Sequence, residues 1–239
     1  MQTIHRVGTG SSSVRRAFLG IGLIVAMVAA TLDNARAEPA PPECADFAAV
    51  ERPAMLGKLS DAEVQCLEWR YGHFDLPTHR DKASRILMAN AYGKGDMPEW
   101  KRLTMRHIDE VDDSDPNLSF KLAQVFAREE EHAPTEVIRW STLSLLHRGA
   151  WDPDDYTSRV PQLHAMRVKS AKQIWEQATA AHKKTPTPTT EAAEQSSAAS
   201  VREFSREWVL HCKRAHSDAK EPLAICRSAG GGADYCNGV

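Results

Sequence analysis

The chain has 239 residues, of which 42% belong to the AVILMFWYC set and 26% are charged, and this balance excludes a wholly disordered chain. The 30 Lys+Arg residues stand against 32 Asp+Glu, so the basic surplus of a phosphate-backbone binder is missing and nucleic acid is not an expected partner. The 5 cysteines include no CxxC pair and are too few for a disulfide-dense miniprotein.

Residues 1–37 have the order of a secretory signal. Arg6, Arg15 and Arg16 precede an uncharged, mostly apolar run from Ala17 to Leu32, and Ala35-Arg36-Ala37 supplies a small-x-small cleavage pattern. Cleavage is expected before Glu38. An uncleaved anchor is the alternative, because the run is long for a signal yet short of the ~20 residues that cross a bilayer. Arg15-Arg16-Ala17-Phe18-Leu19 suits either the general secretory or the twin-arginine route. Cleavage leaves 202 residues with a net charge of −5 and no second apolar run of spanning length. The expected product is a periplasmic protein without stable membrane insertion.

Export places all the cysteines in an oxidising compartment. Sequence alone leaves connectivity open. Local pairing is preferred, Cys44 with Cys66 and Cys226 with Cys236, because each short loop would clip a terminal segment that otherwise frays. Cys212 is then left as a free thiol on an apolar helical stripe.

The mature chain reads as all-α. Residues 38–59 form an expected extended N-terminal arm, with prolines early in it. Ser60-Asp61-Ala62-Glu63 is a capping box that opens a helix toward Gly72. A second helix starts near Thr78 and is expected to stop at Gly93. Asp96, Pro98 and Glu99 open the next, whose Trp100, Leu103, Thr104, His107, Ile108 and Val111 share one face at period 3.6. His107 on that face reads as a hydrogen-bonded inner histidine. Further helices begin at Asp115-Pro116, at Pro134 and at Asp152-Pro153, the last carrying Tyr156, Val160, Leu163, Arg167 and Ala171 in threes and fours, with Pro161 as a kink or true start.

Residues 60–184 thus form a helical-repeat domain. Residues 185–200 read as a polar linker and helix start. The C-terminal helices of 201–239, with Val201, Phe204, Trp208 and Cys212 on one stripe, are expected to pack on the repeat domain. A short helix over 222–228 would be stopped by Gly230-Gly231-Gly232.

Asp115-Pro116 and Asp152-Pro153 lie 37 residues apart, with a helix pair between them. Stacked antiparallel hairpins at such a period make an α-solenoid. Asn90-Ala91-Tyr92-Gly93-Lys94-Gly95-Asp96, followed by a helix and Asp115-Pro116-Asn117, resembles a tetratricopeptide repeat. The copy lacks one residue before Gly95-Asp96, has about four extra before Pro116, and carries Thr104 where the repeat expects a small residue. The chain is also similar to myxobacterial exported tetratricopeptide-like proteins of the adventurous-gliding-motility type, through Leu59-Ser60-Asp61-Ala62-Glu63, Val137-Ile138-Arg139-Trp140 and Ala233-Asp234-Tyr235-Cys236. The resemblance implies that Asn90 and Lys94 face a concave groove and bind a partner's backbone or carboxylate.

No HExxH, GxSxG, GxGxxG or Walker loop occurs in the sequence. His211 and His216 are five apart, on different helix faces, so no metal set is expected there. Neither a catalytic residue, a metal nor a cofactor is expected. The leading expectation is a non-catalytic scaffold that binds a protein or peptide in a helical groove, within a cell-envelope or gliding-motility assembly. The acidic balance mildly favours basic or neutral partner segments. The alternatives are an unrecognised periplasmic enzyme and a small-ligand carrier within a helical bundle.

Overall fold

The structure, a computed structural model, describes residues 46–73, 77–128 and 133–238. The expected signal over 1–37 and Cys44 lie outside the described residues. Every regular element among the described residues is a helix. In chain order these are α1 (Phe47–Met55), α2 (Asp61–His73), α3 (Pro77–Lys94), α4 (Met97–Glu110), α5 (Pro116–Arg128), α6 (Pro134–Leu146), a 3-10 turn (Arg148–Ala150), α7 (Pro153–Lys184), α8 (Pro188–Arg214), α9 (Lys220–Ser228) and α10 (Ala233–Asn237). None is long and apolar enough to cross a membrane.

The helix starts follow local chemistry. The Ser60 and Glu63 side chains exchange bonds with each other's backbone N–H, at 3.3 and 2.7 Å, which closes the capping box of α2. Asp96 accepts from the Glu99 N–H at 3.1 Å, and Asp152 from the Asp155 N–H at 2.8 Å.

Most helices pack on their neighbours in sequence, but α1 packs on α3 and α10 chiefly on α8. Arg80 near the start of α3 pairs with Glu110 at the end of α4 at 2.8 Å, so these two run antiparallel. On α7 and α8, Thr179 bonds Glu194 while Arg167 pairs with Glu207, which fixes the same orientation. Glu68 of α2 takes a two-pronged bond from Arg106 of α4 at 2.8 and 3.1 Å. One apolar core runs from Val50 to Leu163, with Trp140, Leu122 and Val137 fully buried; a smaller cluster around Ala171, Val201 and Ala229 joins α7, α8 and the turn after α9.

Three expectations need correction. Part of the supposed extended arm is α1, which buries Val50 and Ala54 and tolerates Pro53 because that proline lies in the last turn. The supposed linker shrinks to residues 185–187: α8 starts at Pro188, capped by Thr187 and Thr190, and Ser197 and Ala198 are buried. Small side chains there let α8 lie close along α7. Pro161 does not mark the start of α7, which begins at Pro153 and runs through it, since the carbonyl it strands belongs to exposed Thr157 and water can satisfy it.

Cys226 and Cys236 are bonded, at an Sγ–Sγ distance of 2.09 Å, and tie α9 to α10, a helix the sequence reading omits. Cys66 is buried on α2, and Cys212 is a buried free thiol on α8. The Cys226–Cys236 link closes a loop with a sequence separation of 10, worth roughly 3 kcal/mol in the chain-entropy view. Replacing both cysteines with serine should therefore raise amide hydrogen exchange over 217–238 by about a hundredfold or more. Exchange in α5 and α6 should change little, because α9 and α10 pack on α8 and on each other rather than on α5 or α6.

Candidate functional site

Among the described residues, a concavity lies where α4, α6, α7 and α8 meet. It is a groove of about 870 Å³, lined on its apolar side by Ile138, Leu143 and Leu146 of α6 and by Phe204 of α8. Leu146 is 70% exposed, a large apolar side chain left in water. Arg139 flanks the groove and pairs with Asp109 at 2.8 Å. The groove shares Leu145, Arg148 and Glu207 with a narrower recess of about 280 Å³, whose other walls include Tyr156, His164, His211 and Arg214.

Helical spacing explains how these side chains converge. Tyr156, Val160, His164 and Arg167 step along one face of α7 by four, four and three. Phe204, Glu207, His211 and Arg214 step along α8 by three, four and three. The antiparallel pairing of the two helices sets these faces against each other.

Arg167 organises the junction. Its side chain is 4% exposed, its guanidinium donates to Glu207, and its Cζ sits 4.4 Å above the Phe204 ring. Glu207 is half in solvent, so the buried cation keeps a counter-charge that water also reaches. Arg167 Nη2 lies 3.4 Å from His164 Nδ1. A guanidinium can only donate, so Nδ1 is the acceptor and the His164 proton sits on Nε2.

Burial pushes His164 down to about 3, and the cations Arg167, Arg148 and Arg214 with His211 push in the same direction. Burial, then Arg214 and Arg148, also lower His211. The imidazole rings lie 5.3 Å apart between centroids. Both are neutral at pH 7, so they offer N–H donors rather than charge. A recess with two neutral imidazoles and the Arg148 and Arg214 guanidiniums can hold a carboxylate or phosphate. Among its described lining residues there is no serine, threonine or cysteine to act as a nucleophile.

The sequence-predicted partner residues lie elsewhere, one helical turn apart on α3. Asn90 is 5% exposed, and its Oδ1 accepts from the Leu59 N–H at 3.2 Å. Its amide fastens the segment before α2 to α3. Lys94 is exposed at the end of α3. His211 turns toward His164, whereas His216 lies beyond α8 with a φ of +52°. The arginine–histidine recess was missed by sequence reasoning. Its one visible signal is Arg167, a cation on an otherwise apolar stripe.

Comparison with protein-family models, with curated proteins and with solved structures finds no match to this chain.

Proposed function

We propose that this is a non-catalytic, exported binding protein whose groove between α6 and α8 holds a segment of another protein in the cell envelope. The observation that carries the reading is the open apolar lining of Ile138, Leu143, Leu146 and Phe204, continuous with a recess of cationic and neutral imidazole donors. That juxtaposition suits a segment with apolar side chains followed by a carboxylate. The partner chemistry is therefore acidic at this site, although the net charge of the mature chain points to basic or neutral segments.

The hairpins α3–α4, α5–α6 and α7–α8, with Pro116 and Pro153 preserving the 37-residue step, support a tetratricopeptide-like stacking. The resemblance to exported gliding-motility proteins and the order of residues 1–37 support a periplasmic setting.

The test is capture from a bacterial envelope extract with the mature chain as bait, compared with Leu146→Asp and Arg148→Glu. Both residues are exposed, so melting should change by less than about 0.5 kcal/mol. Each variant should lose the captured partner, and Leu146→Asp should lose it most completely. Equal capture by wild type and both variants removes the groove from the reading, and turnover of a substrate by the purified chain removes the non-catalytic assignment.

A further inference from the structure

Away from the groove, α3, α4 and the turn after α4 gather a second set of chemically active side chains. Asp81 and Arg85 lie one helical turn apart on α3, His107 lies on the inner face of α4, and Asp112 and Asp115 occupy the connection to α5. One ligand-type atom from each of Asp81, His107 and Asp112 lies within 4.8 Å of the others.

His107 is the unusual member. Its side chain has 0% exposure, yet neither ring nitrogen has a hydrogen-bond partner. This corrects the expectation of a hydrogen-bonded inner histidine. Nε2 stands 3.6 Å from Asp81 Oδ1, beyond hydrogen-bond range. A buried polar group in a native fold is ordinarily satisfied, and this one is aimed at two carboxylates.

The surroundings fit a cation. Asp112 Oδ1 accepts from the Ser114 N–H at 2.9 Å and from its hydroxyl at 2.6 Å, which orients the carboxylate from outside. Arg85 now supplies the positive charge: Nε bonds Asp81 at 2.8 Å, Nη1 bonds Asp115 at 3.0 Å, and Nη2 is 3.6 Å from Asp112. Asp81 and Arg85 also line a solvent-open recess of about 340 Å³ beside α1, which is a route for an ion.

We propose that Asp81, His107 and Asp112 bind a divalent transition-metal ion, with Arg85 moving fully onto Asp115 as the ion enters. One imidazole and two carboxylates suit zinc and its first-row neighbours better than calcium or magnesium, which take oxygen shells. Ligand atoms around zinc stand about 3–3.5 Å apart, so modest rotation of the two partly exposed aspartates closes the set. The three protein ligands leave a coordination position open to water.

The test is calorimetric titration of zinc chloride into the metal-stripped full chain, with visible absorption of cobalt as a second readout. Wild type should bind one zinc that His107→Gln does not. Asp112→Asn, a change at a partly exposed position, should weaken that zinc by about tenfold or more. Arg85→Gln should tighten it, because it removes the competing cation. A tetrahedral cobalt band should appear with wild type and vanish in His107→Gln. If His107→Gln does not fold, Asp112→Asn decides alone. Equal zinc affinity and stoichiometry in wild type and Asp112→Asn, or no saturable binding at micromolar zinc, overturns the proposal.

Discussion

Replacing Gly93 with alanine is expected to destabilise the protein by about 3 kcal/mol, although alanine is the better helix former by about 1 kcal/mol. Gly93 lies in the last turn of α3, where the turn after α1 crosses it. A Cβ there would meet the Met55 carbonyl oxygen at 2.7 Å and the Ala54 carbonyl oxygen at 3.0 Å, and would press on the Gly57 nitrogen. These are all backbone atoms, so no side chain can rotate aside to make room. The opposing residue, Gly57, sits at a φ of +65°, and its own added Cβ would lie 2.6 Å from the Gly93 carbonyl carbon. Two glycines thus allow two backbones to touch, and alanine at 93 must lift α1 from α3. For a chain of this size the loss should lower the melting temperature by roughly 6–12 °C. Gly72, in α2 with open space around it, is the control: Gly72→Ala should leave the melting point level or raise it. A Gly93→Ala protein that melts with or above wild type would refute the close approach.

The same pair of glycines shows where the sequence was readable. Gly93 stood out as a helix stop, yet α3 runs to Lys94, and Gly95, with a φ of +72°, makes the left-handed turn. A glycine needed for tertiary contact looks the same in sequence as one needed for a turn. Capping signals at Ser60, Asp96 and Asp152 were legible because donor and acceptor lie within three residues. Apolar stripes were legible for α4 and α5 for the same local reason. The first half of α8 was not, because serine and alanine read as polar spacing until another helix lies against them. Asn90 kept its position in a repeat-like motif, but its amide went to Leu59, and no local pattern encodes that contact. The recess depends on Arg167 meeting Glu207, 40 residues away, and only the antiparallel pairing of α7 and α8 brings them together. Arg167 could mark the place; nothing local names its partners.

Acidification from pH 7 to pH 4.5 is expected to cost the protein roughly 3 kcal/mol through His164 alone. The sign follows from proton uptake. The unfolded chain carries this histidine near its ordinary value of 6.5, whereas the folded recess holds it at about 3. Between those values the unfolded state binds a proton that the folded state refuses. Stability is therefore at its plateau above pH 6.5 and falls as pH drops toward 3. The groups facing His164 explain the refusal: Arg167 on its own helix, Arg148 from the turn after α6, and His211 and Arg214 from α8, with Glu207 already paired to Arg167. His211 is lowered in the same direction and adds to the slope, as does His107 on α4. Glu63, Glu99 and Asp112, also held low, matter chiefly below pH 4.5. Substituting His164→Gln keeps an acceptor for Arg167 and removes the proton site. Melting temperatures of wild type in metal-free buffer should fall by roughly 6–12 °C across this window, and the variant should lose most of the share due to His164. Parallel pH profiles for the two proteins would show that His164 titrates alike in folded and unfolded chains, and burial among the cations of the recess would then not be what lowers it.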